Sequence, residues 1–258
     1  MTANRIERLV PASPRDIQPD NPCAACAVRD LSVCGALRPD DVSRLNAIVT
    51  HKLLQPGEML FLESDPANSL FVITDGSIKL YKMLSDGRRQ ITGFLFRSDF
   101  LGLAFRDRYA YSAEALSLTT VCRFPKDRLE ALLDEFPEME RRLLSIASNE
   151  LASAQDQMLL LGRKTAEEKL ASFLWLLSRR ATLKELDGKT IDLPMTRMDM
   201  ADYLGLTIET VSRSFSALRR KEIIAFTTPQ RMQITDLSAM AALAGIEEDS
   251  WDAATALR

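Results

Sequence analysis

Cys23, Cys26 and Cys34 sit close together in the stretch P-D-N-P-C-A-A-C-A-V-R-D-L-S-V-C-G, and Cys122 stands alone much further along. They are the chain's four cysteines. Four thiolates make one full ligand set for a tetrahedral zinc ion or an iron–sulfur cluster. Two disulfides, or four inert buried thiols, are the alternatives. The opening M-T-A-N-R-I-E-R-L-V-P-A-S-P lacks the apolar core of a secretion signal, and no run approaches the ~18 apolar residues of a membrane span. The expected setting is therefore the cytoplasm, away from any membrane. Thiols stay reduced there, and clustered cysteines more often hold metal than form disulfides. The single histidine, His51, cannot complete a zinc-binding pair.

A second constellation runs from Thr196 as T-R-M-D-M-A-D-Y-L-G-L-T-I-E-T-V-S-R-S-F-S-A-L-R-R. Thr196 and Asp199 resemble a capping box that opens a helix. Ala201, Tyr203 and Leu204 belong to that helix, Gly205 stops it, and Thr207 can cap a second one. In the second helix Ile208, Val211, Phe215 and Leu218 form an apolar side. Glu209, Ser212, Arg213 and Ser216 form a polar stripe at i, i+3, i+4, i+7. This is a helix-turn-helix with a compact polar face near the start of its recognition helix. Arg213 can donate two hydrogen bonds to guanine, Glu209 can accept from cytosine, and Ser212 can reach a base edge or a phosphate. Arg219, Arg220 and Lys221 end the helix with positive charge suited to phosphate or to the helix dipole. Ile223–Phe226 and Arg231–Ile234 read as a β-hairpin wing. The net charge of −3 leaves room for such a local basic surface.

The elements that must hold these residues follow from changes of period. Residues 1–38 read as a cysteine-bearing arm, and a short helix is expected over 39–50. From about 51 to 124 short strands recur at 59–62, 70–73, 78–81, 91–94, 113–116 and 119–122. Pro56-Gly57, Asp75-Gly76 and Asp86-Gly87 separate some of them and read as turns, the Asp-Gly pairs as hairpins. Many short strands point to a sandwich or barrel. A short helix over 126–134 ends before Phe136-Pro137, and a long helix is expected from Glu138 to Gly162. Within it Leu144, Ala147, Leu151, Ala154, Met158 and Leu161 are spaced 3, 4, 3, 4, 3. That is the seam of a two-helix dimer, with a core helix packed within its own chain as the alternative, and it carries no charge that would oppose pairing. The expected organisation is an arm (1–38), a β-domain (39–136), a dimerisation helix (137–164), a winged helix-turn-helix (165–246) and a tail (247–258) to which no role attaches.

Taken together, P-G-E-M-L-F, D-G-S-I-K-L-Y, D-G-R-R-Q-I-T-G-F, A-E-E-K-L-A-S-F-L and M-T-R-M-D-M-A-D-Y-L-G-L-T-I-E-T-V-S-R resemble the cyclic-AMP receptor protein/FNR superfamily of bacterial transcription regulators. The resemblance covers about residues 20–246 and is nearest the oxygen-responsive branch of FNR, FnrN and FixK type. It implies an α+β fold: a cyclic-nucleotide-binding-like β-roll (jelly roll), a long dimerisation helix and a winged helix-turn-helix. It implies that Glu209, Ser212 and Arg213 are the family's E-x-x-S-R signature, which reads two-fold sites with TTGAT-like half-sites. It implies that Cys23, Cys26 and Cys34, spaced C-x2-C-x7-C, join Cys122 around a [4Fe–4S] cluster. With little oxygen that cluster supports a DNA-binding homodimer that recruits RNA polymerase, and oxygen weakens binding. The turn at Asp86, Gly87 and Arg88 matches a loop that touches polymerase in the family.

Cyclic-nucleotide binders of the superfamily need a Glu and an Arg-Ser/Thr-Ala stretch. F-L-G-L-A-F-R-D-R-Y-A-Y-S-A lacks that pattern, so no cyclic nucleotide is expected. Two readings compete with a cluster switch. One is a zinc- or thiol-sensing regulator of the same fold. The other is a small-ligand protein using the β-domain as a cup, for which Asp99, Arg106, Asp107 and Arg108 are the only nearby charge cluster. No phosphate-binding glycine loop, dinucleotide fingerprint or nucleophile elbow occurs, and an enzyme is not expected.

Overall fold

The computed structural model describes residues 22–103, 107–183 and 188–246. Arg106 and the tail 247–258 lie outside the described residues, as does the arm before residue 22. The arm enters through a series of turns and a 3-10 turn at Val33–Ala36, followed by another at Pro39–Asp41 and helix α1 (Val42–Asn46). The helix expected over 39–50 is thus shorter, because Ile48 and Val49 already lead into a strand. Strands β1 (Thr50–Leu54), β2 (Met59–Phe61), β3 (Ser69–Asp75), β4 (Ser77–Met83), β5 (Arg89–Phe96), β6 (Phe100–Leu101), β7 (Ser112–Ala115) and β8 (Thr119–Pro125) follow. Next come α2 (Lys126–Glu135), α3 (Pro137–Arg163), α4 (Ala166–Leu183), β9 (Thr190–Asp192), α5 (Arg197–Leu204), α6 (Ile208–Arg220), β10 (Ile224–Thr228), β11 (Arg231–Ile234) and α7 (Leu237–Ala244). Among the described residues no helix is long and apolar enough to cross a membrane.

The eight strands pair as β1 with β8, β2 with β7, β3 with β6 and β4 with β5. This is one antiparallel ribbon rolled into two facing sheets, ordered β1-β8-β3-β6 and β2-β7-β4-β5. The pairing explains which turns are hairpins. Asp86-Gly87 is the ribbon's tip between paired strands β4 and β5. Asp75-Gly76 and Pro56-Gly57 are not hairpins, contrary to the pattern of Asp75-Gly76: each joins strands of different sheets, at a corner of the roll. At one corner Gly76 has φ +89°, and a Cβ there would lie 2.4 Å from Thr119 Oγ1 and 2.5 Å from the Leu118 carbonyl. At the tip Gly87 has φ +85° with open space around it.

Both sheets bury apolar residues on both faces. Between them lie Leu54, Phe71, Ile73, Ile78, Leu95, Leu101 and Val121, with the Tyr109 ring stacked 3.7 Å from that of Phe61. The outer face of the first sheet presents Leu70, Val72, Cys122 and Phe124 to the arm, α1, α2 and α3. The second sheet presents Ile91 and Phe94 to the C-terminal unit, where they join Phe173, Leu174, Tyr203 and Phe215 in a single core. Each such side chain, fully buried, contributes roughly 1.5–3 kcal/mol, so neither outer face is tolerable in water.

The C-terminal unit holds the expected helix pair and wing, with two additions. The segment around Gly188 and Pro194 contains β9, which completes a three-stranded wing sheet ordered β10-β11-β9. Helix α7 packs on α4 through Met240, Ala241 and Ala244. The two glycine turns of the roll give a comparison. Gly87→Ala should cost about 1–2 kcal/mol, the strain of a left-handed non-glycine residue. Gly76→Ala adds a clash with Thr119 and should cost about 2–4 kcal/mol. Urea denaturation of the two variants checks both values.

Candidate cysteine site and nucleic-acid interface

Cys122 lies on β8 beside Val72 of β3, its Cα partner across the ladder. Strand alternation sends Val121 into the roll and Cys122 out of it, beneath the arm. The arm folds back over this spot. Ser32 Oγ accepts from the Cys34 N–H at 3.3 Å and donates to the Arg29 carbonyl at 3.1 Å. Gly35 packs so closely on the Asp30 backbone that a Cβ would stand 2.8 Å from it. The four cysteines then line one small pocket with Val28, Leu45, Val72 and Phe124 as apolar walls, and Arg29 and Ser32 at its edge. All four are free thiols, so the two-disulfide reading is not met.

Among the described residues no carboxylate lines the pocket. Burial, and the neighbouring thiols after it, push Cys23 up to about 11 and Cys122 higher still. Cys34 is raised chiefly by burial, against hydrogen bonding from Ser32 and a weaker pull from Arg142. Burial thus favours the protonated form of Cys23, Cys34 and Cys122, and bound positive charge would favour their thiolates. Among the described residues no three His, Cys, Asp or Glu side chains converge as the ligands of one metal ion. Zn–S bonds of about 2.3 Å in a tetrahedron would draw sulfurs to within ~4 Å of one another. A four-iron cluster carries each thiolate on its own iron and tolerates a wider set. The donor chemistry and the apolar walls fit either group.

The arm that forms this pocket rests on α3. Arg142 Nη2 donates to the Asp30 carbonyl at 2.6 Å, and Met139, Leu143 and Ile146 pack into the cluster that holds Cys23, Cys34 and Cys122. The other side of α3 is bare: Leu144 is 68%, Leu151 62% and Met158 71% exposed. Ala154 is exposed and Ala147 half-buried. Leu161 departs from the expected seam, since it is half-buried against the C-terminal core with Cδ2 reaching Gly205 in the helix-turn-helix turn. Arg142 and Asp30 had no sequence signal, because a backbone acceptor in an irregular arm has no side-chain code.

The reading unit follows its expected local rules. Thr196 caps α5 with a full capping box through Asp199, Gly205 is left-handed at φ +61°, and the Thr207 hydroxyl accepts from the Thr210 N–H. Val211, Phe215 and Leu218 are buried, with Ile208 packed alongside them. Glu209, Ser212, Arg213 and Ser216 all face solvent. Arg213 Nη2 donates to Thr210 Oγ1 at 3.3 Å, and Ser216 Oγ donates to the Ser212 carbonyl at 3.0 Å. The Glu209 carboxyl lies below its usual range through its own backbone N–H and the Thr207 hydroxyl, with Arg213 adding attraction. Sequence reasoning overlooked Arg197, whose guanidinium lies 3.3 Å over the Phe215 ring and 5.3 Å from that of wing residue Phe226. Burial lowers it to about 10. The tip residues pair locally, Arg88 Nε donating to Asp86 Oδ2 at 2.8 Å, and remain exposed.

Known proteins place this architecture. Residues 51–136 match the family model of the cyclic nucleotide-binding domain, and residues 168–243 that of the Crp-like helix-turn-helix domain. The chain is 45% identical to the transcriptional activatory protein AadR of Rhodopseudomonas palustris, over 85% of this chain and 91% of that protein. It is 43% identical to the nitrogen fixation regulation protein FixK of Bradyrhizobium diazoefficiens, over 79% and 86% respectively. The solved structure of FixK2 from Bradyrhizobium japonicum superposes with a TM-score of 0.71 at 35% identity, covering 76% of this chain and 97% of that one.

The raised thiols give a direct check on the metal-free protein. A thiol at about 11 is ~0.1% thiolate at pH 8, against ~10% for one at 9, so iodoacetamide should label Cys23 about 100-fold more slowly than a free peptide thiol. The folded pKa lies above the unfolded one. Folding therefore holds the extra proton between about pH 9 and 11, and the docked arm should lose stability as pH rises through that window. Site-resolved mass spectrometry across pH 7–11 measures the labelling rate.

Proposed function

We propose that this chain, which belongs to the CRP/FNR family of DNA-binding transcription regulators, is an oxygen-responsive activator switched by a [4Fe–4S] cluster at Cys23, Cys26, Cys34 and Cys122. The observation that carries the reading is the single apolar pocket in which the arm's three thiols meet Cys122 against α3. A bound cluster would supply four iron–thiolate bonds and a sensitivity to oxygen that no side chain has. The residues around it supply the transmission. Ordering the arm costs about 1–2 kcal/mol of backbone entropy per residue, and Val28, Val33 and Leu37 are its buried aliphatic side chains. Metal–thiolate bonding, on the scale of about 10 kcal/mol measured for structural zinc, is large enough to decide whether the arm stays docked.

A docked arm holds one side of α3 through Arg142, Leu143 and Ile146. The opposite side, with Leu144, Ala147, Leu151, Ala154 and Met158, is the surface for a second copy, with Leu161 serving the chain's own core instead. The homodimer presents two recognition helices to the two halves of a TTGAT-like palindrome, about one DNA turn apart. Arg213 reads guanine with Glu209 and Ser212 beside it, while Thr207 and Ser216 border the contact. The exposed tip at Asp86, Gly87 and Arg88 is offered to RNA polymerase. Zinc on the same thiols is the second reading, favoured by the all-sulfur donor set.

Anaerobic purification with iron and sulfide analysis is the deciding experiment. A brown protein with four iron and four sulfide per chain (about 4 each) is expected. A colourless protein with stoichiometric zinc would sink the cluster reading. Cys122→Ser should remove the colour and anaerobic binding to the palindrome, and leave the roll folded by circular dichroism. Arg213→Ala should retain the cluster and lose about 1–3 kcal/mol of discrimination at a single base position, read by a mutated-site binding series.

A further inference from the structure

Lys79 and Asp199 are 7% and 3% exposed, although they belong to opposite halves of the molecule. Lys79 projects from β4 on the outer face of the second sheet and reaches Asp199 Oδ1 at 3.1 Å and Glu114 of β7 at 3.0 Å. Arg89, at the start of β5, donates through Nη2 to the same Asp199 Oδ1 at 3.0 Å and to Asp202 Oδ2 at 2.8 Å. The other oxygen of Asp199 accepts from Thr196, from its N–H at 3.0 Å and its hydroxyl at 2.6 Å. One carboxylate therefore starts α5 with one oxygen and ties it to the roll with the other. Arg89 grips α5 at two points one turn apart, which fixes rotation about the helix axis as well as position. Gln90 adds a donor to the Asp202 carbonyl at 2.7 Å.

A buried ion pair adds little stability over an apolar contact of the same shape, because desolvating two charges offsets their attraction. Its distinct property is geometric: it is satisfied in one docking pose, whereas apolar surfaces can slide. Helix α6 is packed on α5 around the Gly205 turn, so the pose of α5 is also the pose of the DNA-facing stripe. We propose that Lys79 and Arg89 are positioning residues for DNA reading, holding the start of α5 on the β-roll of their own chain so that the two recognition helices of a dimer match the spacing of a palindrome. The inference rests on the two-half-site reading above.

The test uses the full chain, loaded anaerobically, with three variants: Arg89→Asp, the milder Arg89→Gln, and Arg89→Asp combined with Asp202→Arg. Hydrogen exchange at 197–204 should speed up in both single variants while β3 and β8 stay protected, and the reversed pair should restore protection. On a duplex with two inverted TTGAT half-sites, Arg89→Asp should bind about 5- to 150-fold more weakly. On the same duplex with one half-site scrambled, affinity should change less than about twofold. The reversed pair should recover most of the loss. Equal weakening on both duplexes, unchanged exchange in α5, or no recovery in the reversed pair would overturn the proposal. A wild-type protein that does not prefer the two-half-site duplex would instead count against the two-half-site reading. The exchange experiment then still decides whether Arg89 fastens α5.

Discussion

Val72 and Cys122 stand side by side on the outer face of one sheet, and Ile91 and Phe94 on the outer face of the other. Strand alternation makes this unavoidable. When the inner face of a strand already fills the roll with Phe71, Ile73 and Val121, apolar residues at the intervening positions must face outward. An uncovered apolar sheet face is unstable in water, so each needs a lid. The arm with α1, α2 and α3 covers one, and the helix-turn-helix unit covers the other. The roll is therefore the common wall between a thiol pocket and a DNA-reading unit.

This arrangement gives the cysteine site its leverage. The described arm is built of turns and a 3-10 turn, and it docks through Val28, Val33 and Leu37 and through its thiols. It docks on the same helix that leaves Leu144, Leu151 and Met158 exposed on its other side. A local event at the sulfurs is thus one helix diameter from the exposed apolar side of α3. No long relay is required, because α3 packs on the thiol-bearing arm with one side and leaves Leu144, Leu151 and Met158 exposed on the other.

The opposite wall works by different physics. Apolar packing of Ile91 and Phe94 on Phe173 and Tyr203 supplies adhesion, and the Lys79–Asp199–Arg89 group supplies register. Burial alone would raise the Asp199 carboxyl, yet hydrogen bonds from Thr196 and the Lys79 charge hold it below the usual range. Asp199 is thus held as a carboxylate where it is most hidden, which depends on Thr196 and Lys79 both being in place.

Local rules settled much of this chain from sequence alone. The capping box at Thr196, the left-handed Gly205, the polar stripe from Glu209 to Ser216 and the Pro137 helix start are short-range features whose causes lie within a few residues. The strand runs were legible for the same reason. The corners were not: Asp75-Gly76 carries hairpin chemistry, yet it turns between sheets because Leu118 and Thr119, far along the chain, occupy the space beside it. Leu161 fits the heptad seam by spacing and turns inward because the helix-turn-helix packs there. Lys79, alternating with Ile78 and Leu80, reads as a solvent-facing lysine, and only a second unit laid over that face makes it a buried partner of Asp199. The four cysteines could be counted and their ligand chemistry named from the sequence. Their meeting in one apolar pocket against α3 was decided by the rolled ribbon and the folded arm, since pocket walls are made by residues that no local pattern connects.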